Sequence, residues 1–293
     1  MRRDHPFLPL LATFAAVGLL SFMDALMKGA ALAGGVYTAA FLRSAGALLL
    51  IGPVWLWSRP PWPRGTVLRL HLTRGVVATF MALLFFYALT KLPIAETIAI
   101  SFVAPLVALW LAAWLLGERI EREAIGAALL GMAGTLVIVG GRVGRERMDD
   151  GAWAGLAAII ASALLYAWNL VLQRQQAQLA PPAEVAVFHS GVASVILVAG
   201  LPFLWQPPSA SVLGLAGASA LLTVAGSLLF AWAYARAEAQ RLVPIEYSGF
   251  LWAALFGWLF FAEPVTIPTV TGTALIVVGC ALATRRRPLA DTV

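Results

Sequence analysis

The chain has 293 residues, of which 61% are hydrophobic and only 12% are charged, and its mean hydropathy is +0.88. Soluble domains carry about 25% charged residues, so this composition excludes an ordinary water-soluble protein. The net charge of +6 would by itself suit a nucleic-acid partner. In a membrane protein, however, basic residues collect in the cytoplasmic loops, and we therefore expect no nucleic-acid partner.

Ten apolar runs, each close to 20 residues, fill almost the whole chain. In chain order they are 7–28, 36–57, 70–90, 95–116, 124–140, 153–173, 184–204, 212–237, 243–261 and 267–283. A helix needs roughly 20 apolar residues to cross the hydrocarbon core of a bilayer. The runs are continuously apolar, whereas the strands of a membrane barrel would alternate over about ten residues. The sequence therefore predicts an all-α membrane protein with ten transmembrane helices.

The distribution of basic residues predicts the orientation. With a cytoplasmic amino terminus, thirteen of the 20 Lys and Arg residues fall on the cytoplasmic side and four on the outer side. The outer four are Lys91, Arg142, Arg145 and Arg147. Because basic residues are retained on the cytoplasmic side, we predict a multi-pass protein of the inner (plasma) membrane with both termini in the cytoplasm.

The second five spans repeat the first five at a constant offset of 145 residues. This offset superimposes Glu118 on Glu263 and Asp24 on Asn169. Both glutamates lie at helix ends, where we expect structural roles. We predict two domains, 1–145 and 146–293, each a repeat of five transmembrane helices. Because five is odd, the two copies must face opposite ways, an arrangement that secondary carriers use to open alternately to either side of the membrane.

Three segments carry a family resemblance. The segment YALTKLPIAETIAISFVAPLVALWLAAWLLGER begins at Tyr87, and the glycine-bearing segment GAALLGMAGTLVIVGG begins at Gly126. Together they resemble the EamA repeat of the drug/metabolite transporter superfamily. The segment WAYARAEAQRLVPIEYSGFLWAALFGWLFFAEP, from Trp232, looks like the second copy of that repeat, so the resemblance covers essentially the full chain.

The most specific part of the resemblance is a proline-bearing fourth span that ends in Gly-Glu, at Pro105, Gly117 and Glu118. Proline in mid-span removes a backbone hydrogen bond, so we expect a kink there, which either opens carbonyl groups to a cavity or serves helix packing. The second copy departs from the pattern, because Phe250 stands opposite Pro105 and Ala262 replaces the glycine. These departures bear on the symmetry of the two copies rather than on family membership.

The resemblance implies ten helices, cytoplasmic termini and transport of a small-molecule substrate through the lipid bilayer, often outward and without ATP hydrolysis. It does not name the substrate, because such transporters carry amino acids, nucleotide-like cofactors, vitamins or toxic cations. We predict a secondary transporter that works by alternating access and exports an amino acid or related zwitterion. Carriage of a nucleoside-like or vitamin cofactor and efflux of a lipophilic cation or drug are the alternatives, and a channel is the alternative of a different class.

Ionisable residues within the predicted spans indicate where the substrate binds, since each costs roughly 2.5–3.5 kcal/mol at a helix centre and needs a partner or a wet cavity. Toward the outer face lie Asp24, Lys28, Arg43 and Glu96. Asp24 and Lys28 are four residues apart, so they share a helix face and can form a structural ion pair. Alternatively, Asp24 and Arg43 face a central cavity, where Arg43 would bind a substrate carboxylate and Asp24 would take part in coupling.

A second set of polar residues lies toward the cytoplasm. It contains Asn169, His189, Arg74 and Glu246, with Tyr166, Trp168 and Tyr247 beside them. His189 fits either a hydrogen-bonded core histidine or a ligand and proton relay. Glu246 fits either a first-turn glutamate stabilised by the helix dipole or a site for a substrate amine or a coupling proton, because a poorly solvated carboxylate can take up a proton.

Aromatic residues complete the predicted substrate site. Phe102 and Tyr247 superimpose under the offset of 145, and Tyr166 and Trp168 lie close to Asn169 in the sequence. Such a lining suits a planar or amphipathic solute. The predicted substrate-binding residues are thus Asp24, Arg43, Phe102, Tyr166, Trp168, Asn169, His189, Glu246 and Tyr247.

Motifs of enzymes are absent from the sequence, which has no HExxH, no phosphate-binding loop, no nucleophile elbow and only three histidines. We therefore expect neither catalysis nor a metal or other cofactor. Cys280 is the single cysteine, so no internal disulfide can form. Gly131 and Gly134 in the fifth span, and Gly272 and Gly279 in the tenth, predict close helix contacts, which could also serve a homodimer.

Overall fold

A computed structural model describes residues 7–58, 61–116, 122–143, 149–237, 242 and 245–284. No β-strand occurs within these ranges, which confirms the all-α prediction. The defined helices are α1 (Leu8–Gly34), α2 (Val36–Trp57), α3 (Gly65–Lys91), α4 (Ile94–Ser101), α5 (Ala104–Leu116), α6 (Arg122–Val143), α7 (Asp150–Ala177), α8 (Pro182–Leu204), α9 (Ala210–Tyr234), α10 (Gly249–Phe261) and α11 (Ile267–Thr284). Glu118 and Pro244 lie outside the described residues.

Length and apolar composition make six of these helices able to cross a membrane, namely α1, α2, α3, α7, α8 and α9. Shorter apolar helical segments occupy the remaining predicted spans. Large apolar side chains cover the outside of the bundle, as Phe203, Ile267 and Leu49 show with 86%, 79% and 76% of their surface exposed. Such a surface would aggregate in water, and it suits contact with lipid chains.

The fourth predicted span is not one continuous helix. It is divided into α4 and α5, with a break at Phe102 and Val103. The cause lies just beyond the break, because Pro105 has no N–H to donate to the carbonyl group of Ser101, four residues earlier. The expected kink is confirmed at this position, and it is sharp enough to end one helix and begin another.

Helix positions in the two halves of the chain correspond closely. The helices α3 and α9 begin at 65 and 210, α6 and α11 begin at 122 and 267, and α5 and α10 both have 13 residues and begin at 104 and 249. Each of these pairs is separated by the offset of 145 found in the sequence. The packing has the same symmetry, since the contact of α1 with α9 recurs as the contact of α7 with α3.

The closest helix contact joins α6 and α11. A Cβ atom added to Gly134 would lie 2.5 Å from the carbonyl oxygen of Gly272, and one added to Gly272 would lie 2.5 Å from the carbonyl oxygen of Gly134. Only glycine at both positions lets the two backbones approach so closely. The predicted close contact is thus formed within the chain, and a homodimer stays a prediction.

Ala262, directly after α10, has left-handed backbone angles with φ 52° and ψ 32°. Its N–H donates to the carbonyl of Trp258, and the N–H of Glu263 donates to that of Gly257, both at 3.1 Å. These bonds terminate the helix in the way that normally favours glycine. The second repeat therefore keeps the helix end of its Gly-Glu pattern even though alanine has replaced the glycine.

Candidate functional site

A small cavity lies between α2, α3 and α8, beside Arg43 of the first polar set. Its volume is about 10 Å³, close to the least that holds a single water molecule. Four polar side chains contribute to its lining, namely Arg43, Ser44, Thr79 and His189. The other lining residues are alanines and leucines, so the cavity is small and is apolar between its polar groups.

Arg43 is the charged residue of this cavity, and 8% of its surface is exposed. Its Cζ lies 5.1 Å from the centre of the Phe86 ring, a distance at which a guanidinium is attracted to the aromatic face. Within the part of the chain that the structure describes, the buried Nε of Arg43 has no hydrogen-bond partner. A buried polar group without a partner is costly, so this nitrogen is available to a ligand.

Asp24 on α1 lies close enough to Arg43 for the two charges to interact electrostatically. Among the described residues, however, no ion pair within 4.0 Å joins them, since the three ion pairs found there involve other residues. The site therefore holds a carboxylate and a guanidinium near each other without direct pairing. Each charge keeps its capacity to bind a group of opposite sign.

His189 on α8 brings the two predicted polar sets together. It lines the same cavity as Arg43, although the sequence placed these residues in sets at opposite ends of the bundle. Its buried Nδ1 has no hydrogen-bond partner among the described residues. The expectation that His189 lies in a different polar set from Arg43 is therefore wrong. The reason is that α2 and α8 pack against each other, and each brings a residue near its middle to the shared face.

Tyr166 interacts electrostatically with the carboxylates of both Asp24 and Glu246. Glu246 accepts a hydrogen bond from the hydroxyl of Tyr234 at the end of α9. The carboxylate of Glu246 is thus held by a side-chain donor as well as lying near a helix start. Asp24, Tyr166 and Glu246 form one polar group that joins α1, α7 and the segment before α10.

Phe102 and Tyr247 contact each other directly. Their ring centres are 5.3 Å apart and the rings are nearly perpendicular, at 85°, which is the favoured edge-to-face geometry. The pair lies at the break between α4 and α5, and the two residues are related by the sequence offset of 145. Residues at equivalent positions of the two halves of the sequence therefore touch each other here.

Trp168 and Asn169 do not line the Arg43 cavity. Trp168 is 42% exposed and lines a separate groove of about 520 Å³ between α3 and α7. Asn169 is buried and accepts a hydrogen bond from Nε of Arg74 at 3.1 Å. Successive residues of a helix point about 100° apart, and here one of them faces the groove while the other faces Arg74. Trp168 therefore lies outside the lining of the Arg43 cavity, and its contact with a substrate stays a prediction.

The sequence placed Arg74 in the second polar set but did not predict the hydrogen-bond network around it. Besides Asn169, the guanidinium donates to Oε1 of Gln173, at 3.2 Å, and to Oε1 of Gln176. Gln176 also contacts the ring of His71, whose Nε2 lies 2.9 Å from a carboxylate oxygen of Glu184. The network joins α3, α7 and α8, and glutamines within an apolar helix were the only sequence signal for it.

Lys28 has a different partner from the one predicted. Its Nζ forms an ion pair with Glu263, donates to the carbonyl oxygen of Leu92 at 2.7 Å, and lies 5.2 Å from the centre of the Phe261 ring. The predicted structural pair of Lys28 with Asp24 is therefore wrong. Residues four apart share a helix face, but here the other end of the chain supplies a carboxylate that is better placed.

Glu263 has a structural role, as predicted for it. It accepts a hydrogen bond from the backbone N–H of Ile94 at 2.7 Å in addition to pairing with Lys28. A second ion pair lies nearby, since Nη1 of Arg142 is 2.8 Å from a carboxylate oxygen of Glu96. Thr269 on α11 makes a long hydrogen bond of 3.5 Å to the same carboxylate. These contacts close the end of the bundle at which α1 finishes and α4 begins.

No group of three or more His, Cys, Asp or Glu side chains that could hold a metal ion occurs among the described residues. The arrangement instead suits recognition of an organic solute. One buried guanidinium and one nearby carboxylate provide for opposite charges, and the aromatic pair at the break in the fourth span provides an apolar surface. Nothing in this arrangement resembles a nucleophile with its base.

Comparison with known proteins identifies the family. The model of the EamA-like transporter family matches residues 7–140 and 153–285, which together are nearly the full chain. The chain belongs to the EamA-like transporter family. The two matches of the EamA-like model fall in the two halves predicted from the sequence, and the resemblance described above is confirmed.

Curated relatives of this EamA-like protein are transporters. It is 27% identical over 285 residues to the pseudopaline exporter CntI of Pseudomonas aeruginosa, with 96% of this chain and 95% of the relative covered. It is 27% identical to a riboflavin transporter of Rhizobium johnstonii, with 82% and 76% covered. An aromatic amino acid exporter, YddG of Ancylobacter novellus, is 29% identical over 150 residues, with 51% and 49% covered.

A solved crystal structure has the same fold, with a TM-score of 0.65 over 94% of this chain and 98% of its own, at 22% identity. That likeness bears on the fold alone. Family, relatives and apolar helices together make this EamA-like protein an integral membrane transporter. The family and these relatives are transporters rather than enzymes.

Proposed function

We propose that this protein is a secondary transporter that exports an amino acid or a related zwitterion without ATP hydrolysis. The observation that carries the proposal is the buried Arg43, whose Nε has no hydrogen-bond partner in the described part of the chain, with Asp24 close by but not paired to it. A buried cation and a buried anion that do not pair directly cost free energy unless a bound ligand pairs with both of them.

The chemistry of the two groups points to a zwitterion. A guanidinium can hold a carboxylate through two parallel hydrogen bonds, and a carboxylate can hold an ammonium group. A substrate with both charges would satisfy Arg43 and Asp24 together. A lipophilic cation would leave Arg43 without a partner, and so the site favours the zwitterion over cationic drugs. The remaining predicted contacts are His189, Tyr166, Glu246 and the pair of Phe102 and Tyr247, with Asp24 and Glu246 as candidates for coupling.

The size of the cavity supports the proposal of alternating access. Ligand pockets are commonly about 300–1,000 Å³, whereas the space at Arg43 is about 10 Å³. A substrate therefore enters only if the bundle opens on one side, and a channel with a continuous path is disfavoured. Two inverted repeats of five spans, 1–145 and 146–293, would supply two symmetry-related openings. The spacing of helix starts by 145 residues supports this arrangement.

The proposed orientation has both termini in the cytoplasm of the inner membrane, from the bias of basic residues in the sequence. In this orientation the ion pairs of Lys28 with Glu263 and of Arg142 with Glu96 close the outer end. The network of Arg74, His71 and Glu184 lies toward the cytoplasmic end. Reporter fusions at the carboxyl terminus that are active only outside the cell would reject this orientation.

A planar heteroaromatic solute is the second candidate. The edge-to-face pair of Phe102 and Tyr247 favours it, and one relative is a riboflavin transporter. Aromatic side chains bind flat rings through stacking and edge contacts. Such a substrate without a carboxylate would not use Arg43 in the way the first proposal requires.

Purified protein tests the two candidates directly. Thermal shifts with L-phenylalanine, L-leucine, L-histidine, L-glutamate and riboflavin identify ligands, because binding stabilises the folded state by mass action. Counterflow in proteoliposomes then tests transport of each ligand found. For an amino acid, Arg43→Lys should fold normally and weaken binding by about 1–3 kcal/mol, roughly tenfold or more. Binding of the corresponding carboxamide, which lacks the carboxylate, should not change.

Asp24→Asn is the matched variant for the other charge. It should weaken binding of the amino acid and of its carboxamide, and it should leave unchanged any binding of the deaminated acid. If Arg43 and Asp24 only stabilise each other, the double variant Asp24→Asn with Arg43→Gln should regain the stability lost in each single variant. Regained stability together with normal affinity for the amino acid would refute the proposed binding role.

A further inference from the structure

Arg74 on α3 is a second buried guanidinium, with 9% of its surface exposed. Each of its three nitrogens donates to a side-chain amide oxygen, Nε to Asn169, Nη1 to Gln176 and Nη2 to Gln173. All three acceptors lie on α7, within two turns of that helix. The plane of the guanidinium is therefore held in a definite orientation by one neighbouring helix.

These acceptors orient the charge without neutralising it. In the part of the chain that the structure describes, the ion pairs are those of Lys28, His71 and Arg142, and none includes Arg74. The carboxylate of Glu184 is connected only indirectly, through His71 and then Gln176. Burial of an arginine with a purely structural role would cost less free energy if a carboxylate lay beside it. Neutral amides instead keep a positive charge available at this position.

Arg74 lies next to the Arg43 cavity. Ala78, one helical turn further along α3, lines that cavity, so the two positions are about 6 Å apart along the helix axis. His189 interacts electrostatically with both arginines, and its buried Nδ1 has no hydrogen-bond partner among the described residues. Arg43 and His189 thus line the cavity, and Arg74 lies one helical turn from the cavity-lining Ala78, toward the end of the bundle at which α3 begins.

We propose that Arg74 is a second binding position for the carboxylate of the substrate, on the path between the Arg43 cavity and the end of the bundle where α3 begins. Three of the five guanidinium N–H groups are used by α7, and the two that remain, one on each terminal nitrogen, can hold a carboxylate. His189 provides a polar contact between the two positions. The inference rests on the proposed function, because it assumes a substrate with a carboxylate.

Gln173→Glu is the decisive variant. It keeps the contact between α3 and α7 and replaces a neutral acceptor of Arg74 by a carboxylate of the same size, so the protein should fold with unchanged or greater thermal stability. The new carboxylate would occupy the charge of Arg74 and compete with the substrate. We expect the concentration for half-maximal counterflow to rise about tenfold for an amino acid. The value for its carboxamide should not change.

Arg74→Gln should raise the concentration for half-maximal counterflow of the amino acid by the same factor, provided that it folds. The value for the carboxamide should again stay unchanged. The controls are Arg69→Gln on α3 and Gln175→Glu on α7, which make the same chemical changes at exposed positions. The probes are L-phenylalanine, L-leucine, L-histidine and L-glutamate with their carboxamides. Each variant is measured in thermal shift and in counterflow.

The outcomes separate this inference from the function on which it rests. If Gln173→Glu behaves like Gln175→Glu in counterflow, or weakens the amino acid and its carboxamide equally, Arg74 only ties α3 to α7 and the inference is wrong. If the wild-type protein binds an amino acid through Arg43 in that same experiment, the proposed function stands. If no amino acid binds the wild-type protein, the proposed function fails and the inference fails with it.

Discussion

Removal of the Lys28 charge should open the end of the bundle that Lys28 helps to close. The Lys28 and Glu263 side chains are 7% and 15% exposed, so the pair is largely removed from water. Loss of one partner from a buried ion pair costs about 3–5 kcal/mol, because the other charge is left buried and unpaired. In Lys28→Met, the N–H of Ile94, at 2.7 Å, is the hydrogen-bond donor that Glu263 keeps among the described residues.

The same free energy acts on the conformational equilibrium, because water reaches Glu263 when the outer end opens. A change of about 3–5 kcal/mol corresponds to a shift of about 150- to 4,500-fold toward the open form. We expect the double variant Lys28→Met with Glu263→Gln to recover most of the lost thermal stability, since it leaves no buried charge unpaired. It should also reduce opening well below that of Lys28→Met.

Cysteine labelling measures this equilibrium. In a Cys280→Ser background, Ala82→Cys places a thiol in the Arg43 cavity, and its reaction with a membrane-impermeant maleimide is followed from each side of the membrane. Lys28→Met should accelerate labelling from the outer side by about 100-fold or more. The control is Lys91→Met, which removes an exposed lysine at the end of α3, and it should leave the rate unchanged. Wild-type labelling and wild-type thermal stability in Lys28→Met would refute the reasoning.

Three further substitutions have definite expected outcomes. Glu246→Gln keeps an acceptor for the Tyr234 hydroxyl but cannot exchange a proton, so the pH dependence of counterflow should become flatter while expression stays normal. An unchanged pH profile at full activity would leave Glu246 with only a role at the start of a helix. Gly134→Ala should lower the free energy of unfolding by about 1–3 kcal/mol, because its Cβ would lie 2.5 Å from a carbonyl oxygen of α11. The control Gly140→Ala, whose Cβ would lie in open space, should leave the thermal unfolding midpoint unchanged. Equal effects of the two substitutions would contradict that contact. Ala262→Gly should raise stability by about 1 kcal/mol, since φ is 52° there, and a lower unfolding midpoint would contradict the strain.

The class of the protein could be predicted from the sequence because it depends on local properties. Apolar runs long enough to cross a bilayer require helices, since no water is available to satisfy the backbone groups. The offset of 145 needs only a comparison of the chain with itself, and the observed helix starts agree with it. Pro105 predicted the interruption in the fourth span because the lost hydrogen bond is a property of that one residue.

The partners of the charged residues were decided by the tertiary structure alone. Lys28 and Glu263 are 235 positions apart, and nothing in the sequence favours this pair over Asp24, which is on the same helix face. Arg43 and His189 were expected at opposite ends of the bundle, yet they line one cavity because α2 packs against α8.

The same distinction explains Trp168 and Arg74. Sequence position places Trp168 beside Asn169, but the rotation of α7 within the bundle turns one toward a groove and the other toward Arg74. Apolar helices in a membrane show little amphipathic pattern, so their buried faces cannot be predicted from periodicity. Composition and repeat spacing therefore determine the fold of this protein, and the packing of distant helices determines which of its few charges meet and which of them stay available.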